Sequence, residues 1–340
     1  MRNLVAMRRE PTLGGLLSQL NPCAKCPKSS LALYAAGGAQ VHLCQCGGRP
    51  GDSSNPDITD KDACVGKLGD ATMKCLYINL DSASARRAAV ERSFAAHVAP
   101  GWDLLRVQAV DVDSVRRRSI GGAISDTAKA CYLSHKHAID CIANISKTSM
   151  IIEDDTVFGR RSMGAIAASV ALANKSFEWD LLYTDAIIPN IREMSELSRL
   201  RPALMDGGNV TLIDLKDMQF GSTSAYVVNA KSAQRLKSLF SVERIDTPID
   251  LFLRKLIHEG HLKAFLTFPF LTTVSEHADD SFIQLNARTD LIWNTFRRMA
   301  WIEGDAFDPT PVIEKFPISE RSKAYCALWG AMIDPSYVNK

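Results

Sequence analysis

The sequence predicts an α/β protein, a sandwich with a mostly parallel central sheet and helices on its faces, preceded by an irregular leader. Three observations carry this. From Met73 onward, short runs rich in apolar and β-branched residues alternate with helical periodicities, the pattern of strands joined by crossover helices. The run Ser149–Ile152 ends directly in Glu153, Asp154 and Asp155. Residues 1–72, by contrast, are rich in Gly, Ser, Pro and Cys and sustain neither period.

A chain of 340 residues can bury a sizeable core without disulfide support. Hydrophobic residues make up 46% and charged residues 23%, as in an ordinary globular protein. The net charge of +2 gives no global case for nucleic acid, and the local run Arg116–Arg118 reads as a solvated loop. No segment approaches the roughly 18 uninterrupted apolar residues of a membrane span, and the N-terminus lacks the apolar core of a secretory signal. A soluble intracellular protein is the expectation. The nine cysteines are odd in number, and Cys75, Cys131, Cys141 and Cys326 sit in apolar runs where a free thiol acts as a small hydrophobe, in keeping with a reducing compartment.

Within the leader, Cys23, Cys26, Cys44 and Cys46 have the ligand count of a structural zinc site. Their CxxC and CxC spacing is tighter than a repeated zinc knuckle, and Pro22, Pro27 and Gly47-Gly48 read as loop, so a loosely packed leader is expected. Arg2, Arg8 and Arg9 raise the idea of a mitochondrial presequence, against which the Cys- and Gly-rich continuation argues. The functional domain is placed at 73–340, with 280–340 as a C-terminal helical region around Trp293, Phe296 and Trp301.

Taken in order, Cys75–Leu80 reads as the first strand, and the loop from Asp81 to Ser84 leads into a helix carrying Arg86, Arg87 and Phe94. A strand passing straight into a helix start is where α/β proteins bind phosphates, although neither a GxGxxG nor a GxxxxGK[ST] motif is present. Leu105–Val110 is the second strand. Ser125 or Asp126 caps a helix whose apolar face holds Ala128, Cys131, Tyr132, His135, Ile139 and Ile142. His135 on that face is either a satisfied core histidine or a site residue. After the acidic strand come a helix of small residues over 162–173, a strand over 179–183 ending at Thr184-Asp185, and a loop-rich stretch over 187–218. Then follow a strand at 222–229, a helix at 230–239, and a helix entered through Asp246, Pro248 and Asp250 that runs to His258. A last strand over 262–268 precedes a polar loop with His277, Asp279 and Asp280.

Packing carboxylates side by side costs repulsion and desolvation unless a cation neutralises them, so Glu153, Asp154 and Asp155 at a strand end point to an oxygen-liganded divalent ion. The competing account is an acidic strand-to-loop turn.

In this order the residues resemble glycosyltransferase family 25, the bacterial lipooligosaccharide galactosyltransferases and the related collagen galactosyltransferases, over about residues 74–277. The matching positions are Ile78, Asn79, Leu80 and Asp81 with Arg86 and Arg87 downstream; Cys131, Ser134 and His135; Glu153, Asp154 and Asp155; Ser224, Ala225 and Tyr226 with Ala233; and Pro248 and Asp250. The chain departs from the family at Thr127-Ala128, where a Gly-Glu is usual, and at Ser82-Ala83, where arginines often follow. These departures bear on donor identity.

The resemblance implies a GT-A-like α/β/α sandwich that binds a UDP-sugar beside Mn2+ or Mg2+ and transfers a hexose, most often galactose, to a glycan or lipid-linked glycan acceptor in lipopolysaccharide or lipooligosaccharide biosynthesis. It implies a cytoplasmic place, extended to peripheral association at the inner face of the membrane. Glu153 and Asp155 would hold the metal, with His277 as a third ligand, and the metal would neutralise the departing diphosphate. Asn79, Asp81, His135 and Asp154 would serve the nucleotide sugar, and Arg86 or Arg87 the diphosphate. An inverting transfer needs a carboxylate base, for which Asp250 and Asp185 are the candidates; Asp250 is equally explained by its place in the first turn of a helix. Two rivals stand beside this reading. One is a protein of the same fold that binds the nucleotide sugar without turnover, suggested by Ser82-Ala83. The other is a haloacid dehalogenase-type phosphohydrolase, for which Glu153 and Val157 occupy the places of the required Asp nucleophile and Thr.

Overall fold

The computed structural model describes residues 73–240, 243–280 and 287–310, together with three short leader segments. The four leader cysteines of the zinc expectation, Cys326 and the chain beyond residue 310 lie outside the described residues. Strand β1 (Met73–Asn79) is followed by α1 (Ser84–His97), β2 (Trp102–Gln108), α2 (Val112–Arg117) and α3 (Asp126–Ile145). Next come β3 (Ser149–Glu153), β4 (Thr156–Phe158), α4 (Ser162–Ser176), β5 (Leu181–Tyr183), α5 (Ile191–Asp206) and β6 (Asn209–Asp214). The series ends with β7 (Ala225–Val228), α6 (Ala233–Leu239), α7 (Ile249–His258), β8 (Ala264–Phe268), β9 (Thr272–Val274) and α8 (Ala287–Ala300).

The central sheet has the order β6-β8-β5-β7-β3-β1-β2, extended at the β6 edge by leader residues Gln40–His42. β1, β2 and β3 run parallel, as do β5 and β8, while β7 and β6 are reversed, so most strands point the same way. This is the expected α/β sandwich with a mostly parallel sheet. The carboxyl ends of β1, β3 and β5 fall together, at the edge where open α/β sheets bind their ligands.

Side chains that alternate along the strands feed two cores. Leu76, Ile78 and Ile151 face one way, against Ile139, Ile142, Leu253 and Leu236 from the helices; Cys75, Tyr77, Met150 and Ile152 face the other, against Val90, Phe94, Met163 and Ile166. Burying each such large apolar side chain contributes roughly 1.5–3 kcal/mol, which makes this strand alternation the main determinant of the layers.

The stretch over 187–218, expected to be loop-rich, instead forms α5 and β6. Met194, Leu197, Leu200 and Leu204 recur at helical spacing and are buried, and that packing outweighs Pro202 inside the helix. Arg116 and Arg117 close the short helix α2 rather than lying in a loop, though they are exposed as expected. Cys75 and Cys131 are free thiols, whereas Cys141, expected to be one too, is disulfide-bonded. Phe296 of α8 packs on the link between β8 and β9, where it meets Phe270 edge-on at 6.1 Å. No described helix is long and apolar enough to cross a membrane.

One loop crossing fixes the helices around the site. Gly121 N donates to Glu243 O and Ile245 N to Gly121 O, both at 3.0 Å, while Ala123 N donates to the Asp246 carboxylate at 2.9 Å. Gly122 has φ +116°, and a Cβ there would stand 2.0 Å from the Ile245 carbonyl oxygen, so only glycine lets the chains cross. The crossing ties the start of α3 to the start of α7.

Candidate functional site

Three acids leave the sheet at the end of β3. Glu153 continues the face of Ile151 and points toward α3; the turn that follows carries Asp154 and Asp155. The backbone here is held on two sides. Glu153 N and the Thr156 hydroxyl both donate to Ser224 O, at 2.8 and 2.9 Å, and Ser275 N donates to Asp155 O at 2.8 Å. The carboxylates are thus presented by a fixed turn and not by a free loop.

Glu153 and Asp155 line a cavity of about 270 Å³ whose other walls include Cys131 from α3, Ser222, Thr223 and Ser224 before β7, and Asp250 from α7. Asp154 turns away from it. One Asp154 oxygen accepts from Asn79 Nδ2 at 2.7 Å and the other pairs with Arg86 at 2.6 Å. Arg86 also reaches Asp155 Oδ2 at 3.1 Å, while the buried Asp155 Oδ1 accepts no hydrogen bond. A buried carboxylate oxygen left without a donor is costly unless something else satisfies it.

The acids titrate apart. For Asp155, burial and then the neighbouring Glu153 charge push the carboxyl up to about 7, against the pull of Arg86. For Glu153, burial works the same way, but hydrogen bonds from His135 and Thr223 and the His135 charge outweigh it, and its carboxyl sits below the ordinary range. Asp154 is raised, chiefly by burial, with Arg86 and Asn79 opposing. Burial, followed by the charges of Glu153, Asp250 and Asp155, raises the Cys131 thiol well above its usual value. That environment opposes the thiolate a cysteine nucleophile needs.

Of the two candidate bases, the structure separates one from the other. Asp250 stands at the cavity in the first turn of α7, with one oxygen accepting from Ser222 N at 3.3 Å. Asp185 is fully buried behind the cavity and is gripped through both oxygens by Arg297 of α8, at 2.9 and 3.1 Å from Nε. A carboxylate so paired serves as the counterion of Arg297, and unlike Asp250 it is not brought to the cavity, against the expectation for Asp185. His277 is exposed on a short helical turn, and it is the next residue, Ala278, that lines the cavity; the structure does not bring the expected third ligand to the acids.

The residues expected to hold the nucleotide sugar form a second row. Asn79 is buried between Asp154 and Arg87, whose Nε donates to its Oδ1 at 3.0 Å. Asp81 is exposed and bound by Arg106 at 2.6 Å and Gln108 at 2.5 Å. His135 is buried, with Nδ1 3.0 Å from the Tyr226 hydroxyl and Nε2 3.3 Å from Glu153 Oε1, so it holds Glu153 in place and does not line the cavity.

Sequence reasoning missed Arg297. Its buried guanidinium contacts Ser224 Oγ at 2.6 Å and Ser222 Oγ at 3.3 Å besides Asp185, and it lines the cavity with Asn294. The only signal would have been the Arg297-Arg298 pair at the end of an amphipathic helix, which reads equally well as surface.

Compared with known proteins, residues 73–253 match the family described as glycosyltransferase family 25 (LPS biosynthesis protein). That span covers more than half of the chain. No curated protein matches it.

Proposed function

Since the chain belongs to glycosyltransferase family 25, we propose that it is an inverting, divalent-metal-dependent transferase. It moves a hexose, galactose by preference, from a UDP-sugar to a hydroxyl of a glycan acceptor in lipopolysaccharide biosynthesis. The observation that carries this reading is the meeting of Glu153 and Asp155 at one cavity, with Asp155 Oδ1 buried and unpartnered. Two carboxylates, one of them short of a donor and pushed up by burial and then by its neighbour's charge, suit Mn2+ or Mg2+, which take oxygen ligands. Glu153 and Asp155 would hold the ion, which would supply charge neutralisation for the departing diphosphate.

The remaining steps belong to the chain's own residues. Asp250 takes the proton of the acceptor hydroxyl as its oxygen attacks the anomeric carbon from the face opposite the diphosphate; the sugar–phosphate bond breaks and its electron pair leaves with UDP. Ser222 N, donating to Asp250, orients that carboxylate. Arg86, which spans Asp154 and Asp155, is the cation we assign to the diphosphate, a planar fork suited to phosphate oxygens. The cavity is smaller than the roughly 300–1,000 Å³ of a typical ligand site, so it suits a sugar ring and an ion.

The test is a panel of UDP-sugars incubated with the full chain and Mn2+, following UDP release with and without glycan acceptors. Acceptor-dependent release supports transfer. Binding without release supports the non-catalytic rival, and phosphate release from simple esters supports the hydrolase.

A further inference from the structure

We infer that Cys131, His135 and Glu153 form a second metal site, suited to Zn2+, that shares Glu153 with the oxygen site and therefore competes with the catalytic ion. The three residues each offer a ligand atom, and these atoms lie within 4.8 Å of one another. Cys131 and His135 are four residues apart on α3, which puts both on one face of the helix, toward the end of β3. His135 Nε2 and Glu153 Oε1 are 3.3 Å apart. Two ligands at about 2.0–2.1 Å from a tetrahedral ion are separated by about 3.3 Å, so these two need almost no movement to accept one.

A partner that orients the imidazole is in place. His135 Nδ1 faces the Tyr226 hydroxyl at 3.0 Å and the ring stacks on Tyr226, which fixes the imidazole with Nε2 toward Glu153. Access is in place too, because Cys131 and Glu153 both line the cavity and His135 lies directly behind them. The fourth position faces the cavity and is left to water. On binding, the Cys131 thiol gives its proton to solvent, and one thiolate and one carboxylate balance the ion's two charges.

The donor sets divide the metals. Sulfur and imidazole nitrogen favour Zn2+, whereas the all-oxygen pair Glu153 and Asp155 favours Mn2+ or Mg2+. Both sets need Glu153, so the two ions compete for its one negative charge. The inhibitory consequence rests on the transferase reading; the existence of the site does not.

The experiment uses the full-length protein and two readouts that need no turnover. In the first, Co2+ stands in for Zn2+, and the spectrum of the wild type is subtracted from that of Cys131→Ser. The expected result is loss of a thiolate-to-cobalt band in the variant and bleaching of the same band in the wild type by Zn2+. In the second, maleimide labelling of Cys131 in the wild type is followed by peptide mass spectrometry, which keeps the test independent of how the variant folds. Zn2+ should block labelling, because the ion would hold the sulfur that maleimide attacks, and Mn2+ should not. A flat difference spectrum, or labelling of Cys131 unaffected by Zn2+, overturns the inference. Zinc protection in a protein that transfers no sugar upholds the inference and counts only against the transferase reading.

Discussion

Two buried aspartates at opposite ends of the sheet, Asp155 after β3 and Asp180 before β5, have the same chemistry and opposite fates. Asp180 is surrounded by donors: the Ser232 hydroxyl, the Arg235 guanidinium and Lys263 N at 2.7 Å. Burial raises its carboxyl, but the bonds from Arg235 and Ser232 and the Lys263 amide outweigh that, and it sits below the ordinary range. Asp155 shares one oxygen with Arg86 and leaves the other bare, and its carboxyl is pushed up to about 7. The cavity beside Asp180 is the larger, about 550 Å³ against about 270 Å³. Size therefore does not mark the site; an unmet electrostatic demand does. A satisfied buried charge holds the fold together, and an unsatisfied one waits for a ligand.

Truncating each residue to alanine gives the sharpest contrast. Asp155→Ala should lower metal-dependent transfer by roughly a thousandfold, since ion stabilisation of a leaving group contributes several kcal/mol, while leaving thermal unfolding unharmed. Asp180→Ala should do the reverse: a loss of roughly 3–5 kcal/mol in stability, because Arg235, Ser232 and the Lys263 amide lose their shared acceptor, with transfer per folded molecule unchanged. Denaturant unfolding and initial rates on the same preparations measure both. If Asp155→Ala transfers at the wild-type rate, the metal assignment is wrong.

Asp250→Asn breaks the comparison along another line, because it removes a proton acceptor without removing a ligand. Transfer should fall roughly 10²- to 10⁴-fold while Mn2+ affinity, read by calorimetry, stays put. A loss of Mn2+ binding in that variant would make Asp250 a ligand and leave the reaction without its base.

Most of the sheet was legible in the chain because its strands obey a local rule. Met150, Ile151 and Ile152 are buried on both faces and read as a strand without tertiary information. The acids were legible for the same reason, coming immediately after that strand. What was not legible depended on distant partners. Asp185 looked free in sequence and is neutralised by Arg297, more than a hundred residues later. His135 was ambiguous on an apolar helix face until Tyr226 and Glu153 were seen on its two nitrogens. The helix α5 carries Pro202, whose local penalty is outweighed by the burial of Leu197, Leu200 and Leu204.

The smallest effect, and the most specific, is in pH. Asp155 holds its proton in the folded protein up to about pH 7, whereas an unfolded aspartate loses it near pH 3.9. The native state thus binds more protons between those values, so the part of the stability that Asp155 contributes is present in acid and is lost as the pH rises from about 4 to about 7. Asp180 has the opposite sign: its contribution is present above the ordinary carboxylate value and is lost as the pH falls through its lowered one. Asp155→Asn removes the first of these slopes without touching the second. At pH 8 the variant should be more stable than the wild type by about 1–2 kcal/mol, a rise in Tm of about 2–4 °C. Adding Mn2+ should close that gap, raising the Tm of the wild type and leaving the variant where it was, because the ion supplies the partner that Asp155 Oδ1 lacks. Melting curves of the two proteins at pH 5 and pH 8, each with and without Mn2+, decide it; an equal Mn2+ shift in both would show that the ion binds without Asp155.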